Sequence, residues 1–252
     1  MNILPKFDDY MTRTKKKALN NFTSIELKPL VQTQTWNVAD GFMEVNTIRG
    51  KIFEKMGISD SRFETIIPRY NEKTTVRVFE ICSHTFNPEV PVGTLSLRFL
   101  KRKTGRLMGH TDLSPFLESK KERELFINAM KSLCRKYRKD YEELNSNLKN
   151  LFHSVYRNKQ RGGGLGIAFD LNEKDFSLLC ETGETFIKIY SKIIDRTKGL
   201  KINKKDREAL LAARAQWVEF NLVEDKGFIA GIKIGIPPEA MMVQTLPPLV
   251  KF

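Results

Sequence analysis

The chain has 252 residues, 40% of them hydrophobic and 17 of them Phe, which is enough apolar material for one large core spanning residues 1–252. No stretch approaches the roughly 20 apolar residues of a bilayer span, and the start lacks a secretory leader, so a cytoplasmic protein with no membrane span is expected. Three widely spaced cysteines, Cys82, Cys134 and Cys180, argue against a disulfide framework or a zinc cluster, and the net charge of +13 favours an anionic partner.

From Phe7 to Phe22, apolar residues at Phe7, Tyr10, Met11, Ala18, Leu19 and Phe22 have the spacing of a helix lying on a core. A loop rich in Thr, Gln and Asn is expected next. From about Thr35 to His110, short alternating runs between turn signals such as Ala39-Asp40-Gly41 and Asn71-Glu72-Lys73 predict antiparallel strands. In Thr74 to Cys82, Val76, Val78, Glu80 and Cys82 share one face and Arg77, Phe79 and Ile81 the other, so this strand is predicted to be central and covered on both sides. Glu122 to Phe152 reads as one long helix, Lys174 to Arg196 as a second capped near Asn172, and Lys204 to Arg214 as a third. Two further strands, Trp217 to Val223 and Phe228 to Ile234, are predicted around a hairpin turn at Glu224-Asp225-Lys226-Gly227. Strands, then helices, then strands predict an α+β fold: a large, mainly antiparallel β-sheet sandwiched between layers of α-helices.

The charge excess has three candidate partners: nucleic acid, a membrane face or a polycarboxylate. No nucleic-acid-binding module is evident, and the basic clusters at Lys15-Lys16-Lys17, Lys101-Arg102-Lys103 and Lys204-Lys205 are scattered, as solvated turns and helix ends are. No nucleic-acid partner is therefore expected. The histidines are His84, His110 and His153, and the common metalloprotease, zinc-ribbon and hydrolase motifs are absent. Arg161-Gly162-Gly163-Gly164-Leu165-Gly166 lacks the Lys-Ser/Thr of a nucleotide loop and leads into the strand-like Ile167-Ala168-Phe169, so it reads as close backbone packing or a ligand-facing glycine edge. His110-Thr111-Asp112 has the spacing of two ligands of a facial iron triad, with His153 as a third. Such a trio arises readily by chance. The competing reading ends a strand at His110 and caps the turn Leu113-Ser114-Pro115 with Asp112, and no metal is expected.

In Thr94 to Leu100, alternation puts Thr94, Ser96 and Arg98 on one face and Leu95, Leu97 and Phe99 on the other. A covered arginine needs an anion, and either an internal carboxylate such as Glu80 or a ligand carboxylate answers that need.

Several runs taken together resemble the oxygen-dependent coproporphyrinogen III oxidase family: His84-Thr-Phe-Asn-Pro-Glu-Val-Pro91 leading to Leu97-Arg98-Phe99, Asp112-Leu-Ser-Pro-Phe116, Arg157-Asn-Lys-Gln-Arg-Gly162, and Phe169-Asp170-Leu171-Asn172. Val218-Glu-Phe-Asn-Leu-Val223, Asp225-Lys-Gly227 and Leu246-Pro-Pro-Leu-Val250 complete the set in the family's order. The resemblance implies a broad antiparallel sheet between helical layers, a homodimer, and oxidative decarboxylation of the propionates of a tetrapyrrole in heme biosynthesis. It implies molecular oxygen as co-substrate and no metal or organic cofactor.

Departures from the family pattern are equally visible. Its usual histidine and asparagine before the matching arginine are Thr94 and Ser96, a further histidine is Tyr156, its paired acids are reduced to Asp170, and a substrate-contacting glycine segment is Gly235-Ile236-Pro237 without its arginine. The expected roles are therefore Arg98 on a substrate carboxylate, Asp170 at the pyrrole nitrogens and His84 as proton carrier, with Thr94, Ser96, Arg157, Arg161 and Gly235 as further substrate contacts. The rival readings are a core histidine at 84, a helix cap at Asp170, and ion pairs at Arg157 and Arg161. Two alternatives to the family reaction stand beside it. One is oxidation of a different carboxylate-bearing small molecule in a pocket lined by Thr94, Ser96, Phe169 and Ile236; the other is a non-catalytic tetrapyrrole-binding protein.

Overall fold

A computed structural model describes residues 3–67 and 71–252. Its centre is a seven-stranded antiparallel sheet in the order β1-β2-β3-β4-β5-β6-β9, built from β1 (Leu30–Val38), β2 (Gly41–Arg49), β3 (Phe53–Ile67), β4 (Glu72–Thr85), β5 (Val92–Lys101), β6 (Gly105–Ser114) and β9 (Ile167–Asn172). A two-stranded hairpin, β7 (His153–Ser154) and β8 (Lys159–Gln160), stands beside it.

Strand alternation decides what each face carries. On the first face, Phe79, Leu97 and Phe99 pack with Phe7 and Phe22 of α1 (Leu4–Ile25), Met130 of α2 (Lys120–Lys136), and Phe186 and Tyr190 of α4 (Phe176–Thr197). On the second, Val45, Phe63 and Val76 meet Phe228 of α6 (Lys226–Lys233) and Met241 of α7 (Pro238–Thr245), while α5 (Lys204–Val223) lies over the same face. The central strand β4 is covered on both sides, as its two apolar faces require. Arg77, alone among the apolar groups of its face, is bound by Asp8 at 2.5 Å and Asp60 at 2.6 Å. Helix α3 (Tyr141–Leu151) packs on the edge strand β9.

The structure corrects the sequence reading in four places. The expected Thr/Gln/Asn loop is β1, whose polar side chains are used across the ladder; Thr33 Oγ1 donates to Asn46 Oδ1 at 2.8 Å. The long helix predicted from Glu122 to Phe152 is broken into α2 and α3: Arg138 turns left-handed at φ 52° and Asp140 starts α3 by accepting from the backbone N–H of Glu142. The strands predicted at Trp217–Val223 and Phe228–Ile234 are helical, in α5 and α6, and Asp225 is an N-cap that accepts from the N–H of Phe228 at 2.7 Å instead of turning a hairpin. β-branched and aromatic residues suggest strands there, but the helices bury Phe220 and Phe228 over the sheet while Val223 and Ile232 stay exposed. Asn172 forms no cap; a short 3-10 turn, Glu173–Asp175, intervenes before α4.

Candidate active site

Between the second sheet face and α5–α7 lies a cavity of about 350 Å³. Its floor comes from neighbouring strands in register: Glu80 of β4 pairs with Ser96 of β5, and Ser96 with His110 of β6, while Cys82 pairs with Thr94 one row along. Arg98 stands next to Ser96 on that face. The roof is Gln216, Trp217 and Phe220 of α5, with Asp225 and Gly227 at the start of α6 and Met241 and Thr245 of α7; the rim carries Phe152, Lys159 and Arg161. A second chamber of about 320 Å³, lined by Asn147, Phe169 and Asp170, shares Arg98 and His110 with the first.

Of the two partners foreseen for Arg98, the internal carboxylate is in contact. Arg98 Nη2 donates to Glu80 Oε1 at 2.8 Å, Arg98 Nε donates to Ser96 Oγ at 2.9 Å, and Ser96 Oγ donates to the same Glu80 oxygen at 2.9 Å. A Cβ at Gly227 would stand 3.0 Å from Arg98 Nη2, so glycine lets the turn before α6 close over the guanidinium. Burial works to raise the Glu80 carboxyl, but the Arg98 charge and the hydrogen bonds from Arg98 and Ser96 outweigh it and hold it below the usual range. Burial raises the Asp225 carboxyl despite the Phe228 N–H and Arg98, and burial pushes His110 down to about 4, leaving a neutral imidazole edge-on to Phe152 at 5.0 Å.

The other sequence-predicted residues are dispersed. Thr94, Ser96, Arg98 and Arg161 share the main cavity. His84 lies behind its wall, with Nε2 on the Thr245 carbonyl at 2.9 Å, the Trp217 ring at 5.7 Å and Nδ1 buried without a partner among the described residues; burial holds its pKa well below the ordinary histidine value. Asp170 lines the second chamber, half outside, in an ion pair with Arg106 at 2.8 Å. Arg157 lies on the exposed hairpin, gripping Glu219 at 2.8 and 2.9 Å, and Gly235 turns at φ 95° after α6, outside the residues lining either chamber. Phe169 lines the second chamber, while Ile236 packs in the core under α6 and α7.

Asp112 is spent on the glycine run. Its carboxylate accepts from the backbone N–H groups of Gly163 at 2.9 Å, Gly164 at 3.1 Å, Leu165 at 2.9 Å and Gly166 at 3.2 Å. Asp112 Oδ2 also accepts from Ser114 Oγ at 3.5 Å, so the same carboxylate touches the turn at Leu113-Ser114-Pro115 as well as the glycine run, while His110 lies within β6 instead of at its end. Among the described residues no cluster of three or more His, Cys, Asp or Glu side chains is arranged to hold a metal, and His110, Asp112 and His153 do not come together. Sequence reasoning missed the roof residues Gln216, Trp217 and Phe220; their i+3, i+4 and i+7 spacing from Ala213 is the helical signal that would have found them.

Fold and site together define an α+β protein with a broad antiparallel sheet, carrying an arginine–carboxylate cluster at the floor of a helix-roofed cavity. Residues 6–252 match the family model described as coproporphyrinogen III oxidase. The chain is 30% identical over 224 residues to the oxygen-dependent coproporphyrinogen-III oxidase of Rickettsia rickettsii, covering 82% of this chain and 80% of that protein. It is 29% identical over 244 residues to the enzyme of the same name from Rickettsia akari (90% and 87% covered), and 27% identical over 263 aligned positions to that of Rickettsia typhi (97% and 94%). The chain belongs to the coproporphyrinogen III oxidase family, a family of oxidoreductases, as the resemblance in its sequence implies.

Proposed function

We propose that this protein is an oxygen-dependent oxidase of propionate-bearing pyrroles, with coproporphyrinogen III as reference substrate, molecular oxygen as co-substrate and no metal or organic cofactor. The observation that carries this reading is the family match over nearly the whole chain, on a fold with two chambers that share Arg98 and His110 in their walls. For each propionate, the ring-bound methylene loses a hydrogen and two electrons to oxygen, and the bond to the carboxylate breaks, its electron pair becoming the vinyl double bond. With one proton taken up, the products are a vinyl group, carbon dioxide and hydrogen peroxide.

Arg161 and Lys159 at the rim receive the propionate. Arg161 is braced by Gln216 Oε1 at 2.6 Å and has a buried Nε without a partner among the described residues. Trp217, Phe220 and Phe152 give the ring an apolar wall. Excluding water there strengthens each polar contact to the reacting group. Arg98 keeps Glu80 ionised, Asp170 serves a neighbouring ring from the second chamber, and His84 supports the α7 end of the cavity through Thr245. A homodimer and a cytoplasmic setting belong to the same proposal. The free edge of β1, uncharged from Leu30 to Val38, supports the dimer; no helix among the described residues is long and apolar enough to cross a membrane.

Aerobic incubation with coproporphyrinogen III, followed by protoporphyrin fluorescence after chemical oxidation, should give product that an anaerobic control lacks. The Arg161→Ala variant should lose about 10- to 100-fold in kcat/KM, the value of a charge-assisted carboxylate contact. No oxygen-dependent product from folded protein would reject the reading.

A further inference from the structure

The guanidinium at the cavity floor is already engaged. Its Nη2 and Nε are taken by Glu80 and Ser96, and the Gly227 turn lies against Nη1 and Nη2, so the two-pronged donor set that grips a carboxylate is not presented to the cavity. Glu80 Oε1 accepts two bonds, whereas Oε2 accepts none from the described residues while Glu80 lines the cavity. Asp225, whose Oδ1 takes the Phe228 N–H, adds a second carboxyl group beside the same arginine. His110, one strand further on, is neutral and adds no positive charge. A carboxylate brought to Nη1 would therefore meet two acidic groups at short range, a like-charge juxtaposition that disfavours it.

The rim has the opposite character. Lys159 is exposed and Arg161 half-buried, and neither has a carboxylate in ion-pair contact among the described residues. Glu219 and Glu224 act on Arg161 electrostatically from beyond ion-pair distance, but Arg157 holds the first and Ser154 and the Val155 N–H hold the second, so the cavity is acceptor-rich below and the more cationic above. Its volume of about 350 Å³ lies at the low end of the roughly 300–1,000 Å³ of small-molecule sites, room for one substituted ring and not for four.

We propose that Glu80 is the specificity-determining residue of this site: the floor takes a ring N–H, and a single propionate is held at the rim, so the reacting pyrrole binds N–H inward and carboxylate outward. This inference rests on the function proposed above only in taking this cavity as the substrate site.

Binding is measured without oxygen, by calorimetry, with a pyrrole bearing one propionate, its N-methyl derivative, and a pyrrole bearing propionates on opposite sides. On the wild-type protein, N-methylation should weaken binding about tenfold or more and the second propionate should bring no gain. In Glu80→Gln the N-methyl penalty should shrink and the dipropionate should become the tighter ligand by about tenfold, because Arg98 is then released. Should that variant fail to fold, the wild-type series alone decides. A dipropionate that binds the wild type about tenfold tighter than the monopropionate, an N-methyl derivative that binds equally well, or no binding of any of them at millimolar concentration would overturn the proposal. Because no turnover enters this test, the predicted binding pattern with no oxygen uptake on coproporphyrinogen III would reject the oxidase reading and leave the N–H-inward assignment standing.

Discussion

Asp112 sits two residues after His110 on the same strand face, yet it does a different job, and the difference is one of neighbours. Its two oxygens are wrapped by four consecutive backbone N–H groups of the glycine run, and Asn145 Nδ2 holds the loop from the other side by donating to the carbonyls of Gly164 at 2.9 Å and Gly166 at 2.8 Å. Only residues without a Cβ pass so close to β6: a Cβ on Gly163 would lie 1.8 Å from the Leu113 carbonyl oxygen. Removing the carboxylate leaves several buried donors without acceptors. Asp112→Ala should therefore cost about 3–5 kcal/mol in urea unfolding, and Asp112→Asn, which keeps one acceptor oxygen, distinctly less. A loss under about 1 kcal/mol in the alanine variant would mean that water replaces the carboxylate and that the loop does not depend on it.

At the scale of elements, the break between α2 and α3 has a specific cause. Lys139 N–H reaches back to the Cys134 carbonyl at 2.9 Å and Arg138 N–H to Arg135 at 3.1 Å, the bonding pattern of a helix that ends on a left-handed residue. Glycine usually fills that position, and arginine there carries a steric penalty. Arg138→Gly should stabilise the protein by about 0.5 kcal/mol, after the backbone entropy of glycine is set against the relieved strain, and raise Tm by roughly 1–2 °C in a thermal melt. Because the apolar spacing runs on through Tyr137 and Tyr141, periodicity sees one helix where the backbone makes two. The same limit explains α5 and α6. Trp217, Val218, Phe220 and Val223 favour strands one by one, and only the sheet face beneath Trp217 and Phe220, supplied by distant residues, selects a helix. Strands β2 to β6 and the polar face Thr94-Ser96-Arg98 were legible because alternation is a local signal. What closes over that face was not, since the roof of the cavity is about 120 residues further along the chain, beyond the reach of any spacing argument.

Taken as a whole, the molecule keeps its two interior histidines neutral on one side of the sheet: His84 well below its ordinary pKa and His110 at about 4, both chiefly through burial and then through nearby positive charge, from Lys55 and Arg214 at His84 and from Arg98 at His110. In the unfolded chain each takes up a proton near pH 6.5. The unfolded state therefore binds more protons than the folded one between about 6.5 and 4, so stability must fall as pH falls through that window, by up to about 1.4 kcal/mol per pH unit for each histidine. Asp112 and Asp225, raised by burial, act in the opposite direction, and Glu80, held low by Arg98, acts in the same direction as the histidines as pH falls toward its unfolded value. Between pH 7 and 5 the histidines dominate, and the unfolding free energy should drop by about 3 kcal/mol, read from urea titrations at the two pH values. In the His84→Gln, His110→Gln double variant that slope should flatten even though its stability at pH 7 is lower. A wild-type protein equally stable at pH 5 and 7 would mean that the folded state takes up these protons, opening the α7 side of the cavity to water.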